Sequence, residues 1–208
     1  MKAWYFSDVN RQLRYGDNRP IACGITHTVD CEPIMCVQGL HGSVNILDAL
    51  KYAPGPYVWR VNLSGEVVRG ADKVCATSRE YIWGYDATAV LRKFARRCAL
   101  DVVHLWDAPP IVVQYLKTGD ESIRLSANAA ARTAAWAWAR ASARDAARAA
   151  EWASTGAAAR NAEARTAART AEWAAAWDVA WDAAVATQSR RLYRAIMEAS
   201  DRVNRIQF

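Results

Sequence analysis

The sequence is short of the residues most catalytic sites use. Three histidines in 208 residues leave little material for proton shuttling at neutral pH. No serine or cysteine stands in a nucleophile context such as G-x-S-x-G, so a hydrolytic triad is not expected. G-x-x-x-x-G-K-S/T and G-x-G-x-x-G are also absent, which removes the P-loop and dinucleotide-fingerprint readings. No apolar run approaches the ~18 residues a membrane span needs. Met1-Lys2 leads at once into a strand-like run followed by Asp8 and Arg11, not into the apolar core of a signal peptide. The five cysteines are odd in number and form no C-x-x-C pair, which reads as free thiols in a reducing cytoplasm. Lysine is scarce, with five against twenty-two arginines. The net charge of +6 is spread along the chain, a bias that a GC-rich genome alone produces and weak support for nucleic acid.

What the chain has in excess is alanine. Between Ala127 and Ala186, thirty of sixty residues are alanine and six are tryptophan, with no proline and one glycine. Alanine loses no side-chain entropy in a helix, so this window is helical. Ser154-Thr155-Gly156 interrupts it, and glycine suits the left-handed position after a helix end. The reading is one helix from about Ser126 to Ala153 and a second from Ala157, folded antiparallel, with a single helix bent at Gly156 as the alternative. Folded there, Trp138 faces Trp173 and Trp136 comes near Trp177. Trp173, Trp177 and Trp181, four apart, share one side. These indoles read as packing that supplies the apolar area alanine lacks. Arg140, Arg144 and Arg148 form an i,i+4 row, and with Arg160, Arg165 and Arg169 they make the hairpin tip basic.

The remainder reads as an α+β head: a small mixed sheet with two or three helices over residues 1–120, with residues 121–208 forming the hairpin and a closing helix. Lys2–Ser7 is an aromatic strand, Ile21–Val29 and Ile34–Val37 are extended, and Gly39–Gly42 is a turn. Asn45 caps a helix to Tyr52 whose Ile46, Leu47 and Leu50 face inward. Tyr57–Leu63 and Gly65–Val68 are strands about a turn at Ser64-Gly65, and Val74–Ala76 and Tyr81–Trp83 are further short strands. Asp86 caps a helix running to about Leu105, and Ile111–Leu116 is a short helix after two prolines. Leu192, Tyr193, Ile196, Ala199 and Val203 give a terminal amphipathic helix expected to dock on the head.

His27, Cys31, Cys36 and His41 offer four zinc-ligand types within a short span. The span reads as strand, turn and strand, and no metal is assigned. His104, in an apolar run, reads as a half-buried helix-end residue.

Gly39-Leu40-His41, Asp48 to Tyr52, and Tyr57 to Leu63 together resemble the core of ADP-ribosyltransferases of the poly-ADP-ribose-polymerase type. Arg79-Glu80-Tyr81-Ile82 with Tyr85-Asp86 resembles that family's N-E-Y-I-x-Y-D segment, with one extra residue. The resemblance implies NAD as cosubstrate, Tyr52 stacking on nicotinamide, Gly39 and His41 in the ligand site, and Glu80 as the catalytic carboxylate. The first strand offers Trp4, Tyr5 and Phe6 where that family has histidine or arginine, and His41 stands where it has an aromatic. Nearly the whole chain also resembles an uncharacterised family of tailed phages and some bacteria. The shared features are a G-L-H…D-A-L-x-Y-A-P-G core, Asp72-Lys73, an H-L-W-D-A-P segment from His104 to Pro109, and the Ala/Trp/Arg-rich tail. That implies an accessory or host-interaction protein in the host cytoplasm.

Three functions follow as expectations. The first is a non-enzymatic interaction protein that self-associates or binds a host protein through the hairpin, without a cofactor. The alternative is an NAD-using ADP-ribosyltransferase-like enzyme working through Tyr52 and Glu80. The third is a nucleic-acid binder using Arg144, Arg148 and Arg160 at the hairpin tip.

Overall fold

A computed structural model describes residues 1–153 and 184–203. Contacts divide the chain into two units, Met1–Phe94 with the chain from Thr187 onward, and Ala95–Ala186. The division falls inside a helix and not at residue 120, and the terminal helix belongs with the head.

The head is α+β. Five strands are described: β1 (Lys2–Ser7), β2 (Thr26–Thr28), β3 (Leu40–Gly42), β4 (Tyr57–Arg69) and β5 (Val74–Asp86). Every pairing between them is antiparallel: β1 lies on β4, β4 on β5, and the far edge of β5 carries β3 and β2 in tandem. Helix α1 (Ile46–Lys51) follows β3, and α2 (Thr88–Val102) follows β5. Asn45 caps α1 as expected, its Oδ1 accepting from Leu47 N–H at 2.9 Å. Asp86 Oδ1 likewise accepts from Thr88 N–H at 2.8 Å at the start of α2.

Four readings of the sequence change, the first being that the sheet is antiparallel throughout and not mixed. Ile34–Val37 is a turn closed by an Ile34–Gln38 bridge, with Cys36 left-handed at φ 66°. Gly39–Gly42, read as a turn, supplies β3, with Leu40 opposite Ala76 and Gly42 opposite Val74. The four short strands between Tyr57 and Trp83 are two thirteen-residue strands. They hold register through shifts at Arg60/Val61 and Ser64/Val67, where bulges let long strands twist without ending.

Strand alternation sorts the core onto two faces. On one, Ala3, Trp59, Val61, Leu63 and Tyr81 pack with Leu13 and Ile21 from the segment after β1. Trp59 donates its indole N–H to Ser7 Oγ at 3.0 Å and lies against Gly84, where any Cβ would enter the ring. On the other face Trp4, Phe6, Val58 and Tyr85 meet Ile46 and Ala49 of α1. They also meet Leu192 and Ile196 of the terminal helix, α5 (residues 184–203). Both of those α5 side chains are fully buried. Tyr85 donates its hydroxyl to Ile196 O at 2.8 Å, tying α5 to the sheet.

In the second unit α3 (Pro110–Thr118) packs on α4 (Arg124–Ala153). Proline opens α3, where its missing N–H does no harm, and Gly119 closes it in the left-handed conformation at φ 69° with its N–H on Tyr115 O. The α4 helix contains the expected Ser126–Ala153 helix. The turn at Ser154–Gly156, the second hairpin helix, the Trp138–Trp173 and Trp136–Trp177 pairings and Arg160 lie outside the described residues. Trp136 is 66% exposed.

Candidate functional site

The head holds a cavity of about 720 Å³, within the size range of small-molecule sites. Gly39, His41 and Tyr52, the three ligand-binding residues expected from the sequence, all line it. The turn and β3 supply the first two, and the C-terminal residue of α1 supplies the third. Gly39 sits at φ 105° with Cys75 Sγ where a side chain would be, so only glycine lets the chain enter β3 this close to β5.

His41 is fixed at both nitrogens. Its Nδ1 donates to Gly39 O at 3.1 Å and its Nε2 accepts from Cys36 N–H at 3.2 Å. Burial holds its pKa below the ordinary imidazole value, and Lys73 and Arg79 push the same way against the Gly39 bond. The ring is therefore neutral, and with both nitrogens engaged it is not free to act as a base.

Tyr52 donates to Asp72 Oδ2 at 2.6 Å, a bond that lowers the Asp72 pKa. Lys73 Nζ sits 4.0 Å from the centre of the Tyr52 ring. The neighbouring Cys36 side chain, and Tyr52 after it, raise the Lys73 pKa. Cys75 is a buried thiol donating to Gln38 O at 3.0 Å, and burial pushes its pKa up, the opposite of what a nucleophile needs.

The residue that sets the character of the cavity is Arg79. It is 2% exposed, yet no carboxylate pairs with it among the described residues. Its Nε donates to Tyr81 Oη at 2.9 Å and one terminal nitrogen to His41 O at 2.6 Å. The guanidinium lies 3.8 Å from the centre of the Tyr5 ring and 5.1 Å from that of Tyr81. The other terminal nitrogen, Nη2, donates to no protein group among the described residues. Tyr81 passes the chain on: its hydroxyl donates to His27 Nδ1 at 3.2 Å, while His27 Nε2 donates to Pro20 O at 3.1 Å. Burial pushes the Tyr81 pKa up to about 12 and that of His27 down. Buried guanidinium, neutral phenol and neutral imidazole thus form one oriented relay behind the cavity wall.

The sequence put Arg79 and Lys73 within recognised segments but gave neither a role. For Arg79 the signal is strand alternation: it lies two residues before buried Tyr81 and shares its face. Glu80 therefore points to the opposite face. It is exposed, accepts from Asn62 Nδ2 at 3.4 Å and does not line the cavity, so Tyr52 and Glu80 are not brought together. Of the metal-ligand types, Cys31, Cys36 and His41 line the cavity, while His27 is committed to Tyr81 and Pro20. No group of three or more such side chains could hold a metal ion among the described residues. Arg144 is exposed on α4, which also carries Arg148. No described helix is long and apolar enough to cross a membrane. No family model, curated protein or solved structure matches the chain.

Proposed function

We propose that the protein is a non-enzymatic binding module whose head takes a small anionic ligand with a planar apolar part. The observation that carries this is Arg79, a buried cation facing a cavity with no carboxylate partner among the described residues. A buried charge is tolerated when something pairs with it, and a guanidinium fork suits a carboxylate or phosphate. Arg14 and Lys73 add positive charge to the lining, where the one acidic residue is Asp17, already bridged to Arg19 at 2.6 Å. Tyr52 and apolar neighbours would receive the planar part.

The lack of a free base, with His41 tied at both nitrogens, favours binding over catalysis. Glu80 on the far face of β5 gives an NAD-using transferase no second carboxylate in this cavity. The resemblance to phage accessory proteins and the alanine-rich surface of α4 support a role in assembly, with the helical segment meeting a second copy or a host protein. Thermal unfolding of the full chain with phenyl phosphate, benzoate and the uncharged analogue phenol tests the head. The two anions raise the melting temperature and phenol does not. Equal effects of all three, or none, would contradict the proposal.

A further inference from the structure

The head carries a second concentration of positive charge without ion-pair partners among the described residues. A groove of about 320 Å³ lies between α5, the start of α1 and the sheet, lined by Arg60, Arg190 and Arg194 together with Trp4, Tyr193 and Asn45. No acidic residue lines it. None of the three arginines has an ion-pair partner among the described residues.

Arg60 projects from β4 and is half-buried, and loss of water lowers its pKa. What holds it is weak: the guanidinium lies 4.5 Å from the centre of the Trp4 ring and donates to Ala3 O at 3.4 Å. Arg190 and Arg194 are four apart on α5, so they share one face of that helix. Folding thus brings three arginines into the lining of one groove that holds no acidic residue. The walls also offer a neutral donor. Asn45 Oδ1 already accepts from Leu47 N–H at 2.9 Å and from Ser189 Oγ at 2.6 Å. Its Nδ2 has no protein partner among the described residues.

We infer that this groove is a second anion site, distinct from the Arg79 cavity, and that it binds a small phosphoryl-bearing ligand through Arg60, Arg190 and Arg194. Phosphoryl oxygens match the guanidinium fork and can bridge several arginines at once. The volume suits a diphosphate-sized group rather than an extended strand.

Titration calorimetry of the full chain with inorganic pyrophosphate at low salt tests the assignment. Saturable binding is expected, weakened at least about tenfold in R190Q/R194Q. Both exchanged arginines are exposed on α5, so that variant keeps the fold, which circular dichroism verifies. R60M is the third arm, and it weakens binding likewise if it folds. The site is overturned if pyrophosphate gives no heat at millimolar concentration, or if R190Q/R194Q binds it as well as wild type. It is overturned equally if a single-stranded oligonucleotide binds where pyrophosphate does not.

Discussion

Arg79, Tyr81 and His27 show how much a few polar residues can fix in a small head. The guanidinium donates to the phenol, the phenol to the imidazole, and the imidazole to Pro20 O. Burial favours the neutral imidazole, in which Nε2 carries the proton given to Pro20 O and Nδ1 accepts from Tyr81. Tyr81→Phe removes the middle member and leaves Arg79 Nε and His27 Nδ1 buried without partners. Chemical denaturation is expected to show a loss of roughly 1–3 kcal/mol. The two histidines also set a pH dependence. Burial lowers the pKa of both His27 and His41 from 6.5. As pH falls through that value the unfolded chain takes up protons that the folded chain does not, so stability falls with acidification. Melting temperatures measured from about pH 7.5 down to 5.5 should drop, and His41→Gln should flatten the drop. A stability that rises over that window would contradict the neutral-histidine assignment.

Among the elements, the β4–β5 pair and α5 carry the architecture. Gly84 is opposite Trp59 in that pair, and the indole occupies the space a side chain would need. Gly84→Ala is expected to destabilise by roughly 1–3 kcal/mol through overpacking, read by denaturant unfolding. Ile196→Ala opens a cavity where α5 meets the sheet and should cost about 2–5 kcal/mol. The same titration followed by tryptophan fluorescence and by far-UV circular dichroism should give one transition, because α5 is part of the head's core. How legible each element was in the sequence follows from its local signals. β1, α1 with its Asn45 cap, α2 after Asp86, and α3 after the proline pair were all readable from periodicity and end residues. β3 was not, because three residues cannot show an alternation and Gly39-x-x-Gly42 carries turn chemistry. The apolar run Ile34–Val37 looked extended, yet its backbone reverses at Cys36. In the candidate site Gly39, His41 and Tyr52, singled out together in the sequence, line one cavity. Arg79 was overlooked because an arginine within a strand ordinarily signals the solvent side. Glu80 was favoured by a motif, but the alternation along β5 turns it away from the cavity.

For the molecule as a whole, the chain comprises an α+β head with two basic concavities and a second unit built on α3 and the thirty-residue helix α4. The alanine content of α4 suits close helix–helix approach, and exposed Trp136 offers a large apolar surface. Sedimentation velocity across a wide concentration range should therefore show reversible self-association, weakened by Trp136→Ala, and a strict monomer at the highest concentration would count against assembly. The most direct test of the account concerns the head. Calorimetric titration with benzoate, which carries no phosphoryl group, should give saturable one-to-one binding to the wild-type protein. Arg79→Lys, which keeps the charge and loses the fork, should weaken that binding at least about tenfold. No measurable heat with the wild type, or the same affinity in both proteins, would contradict it.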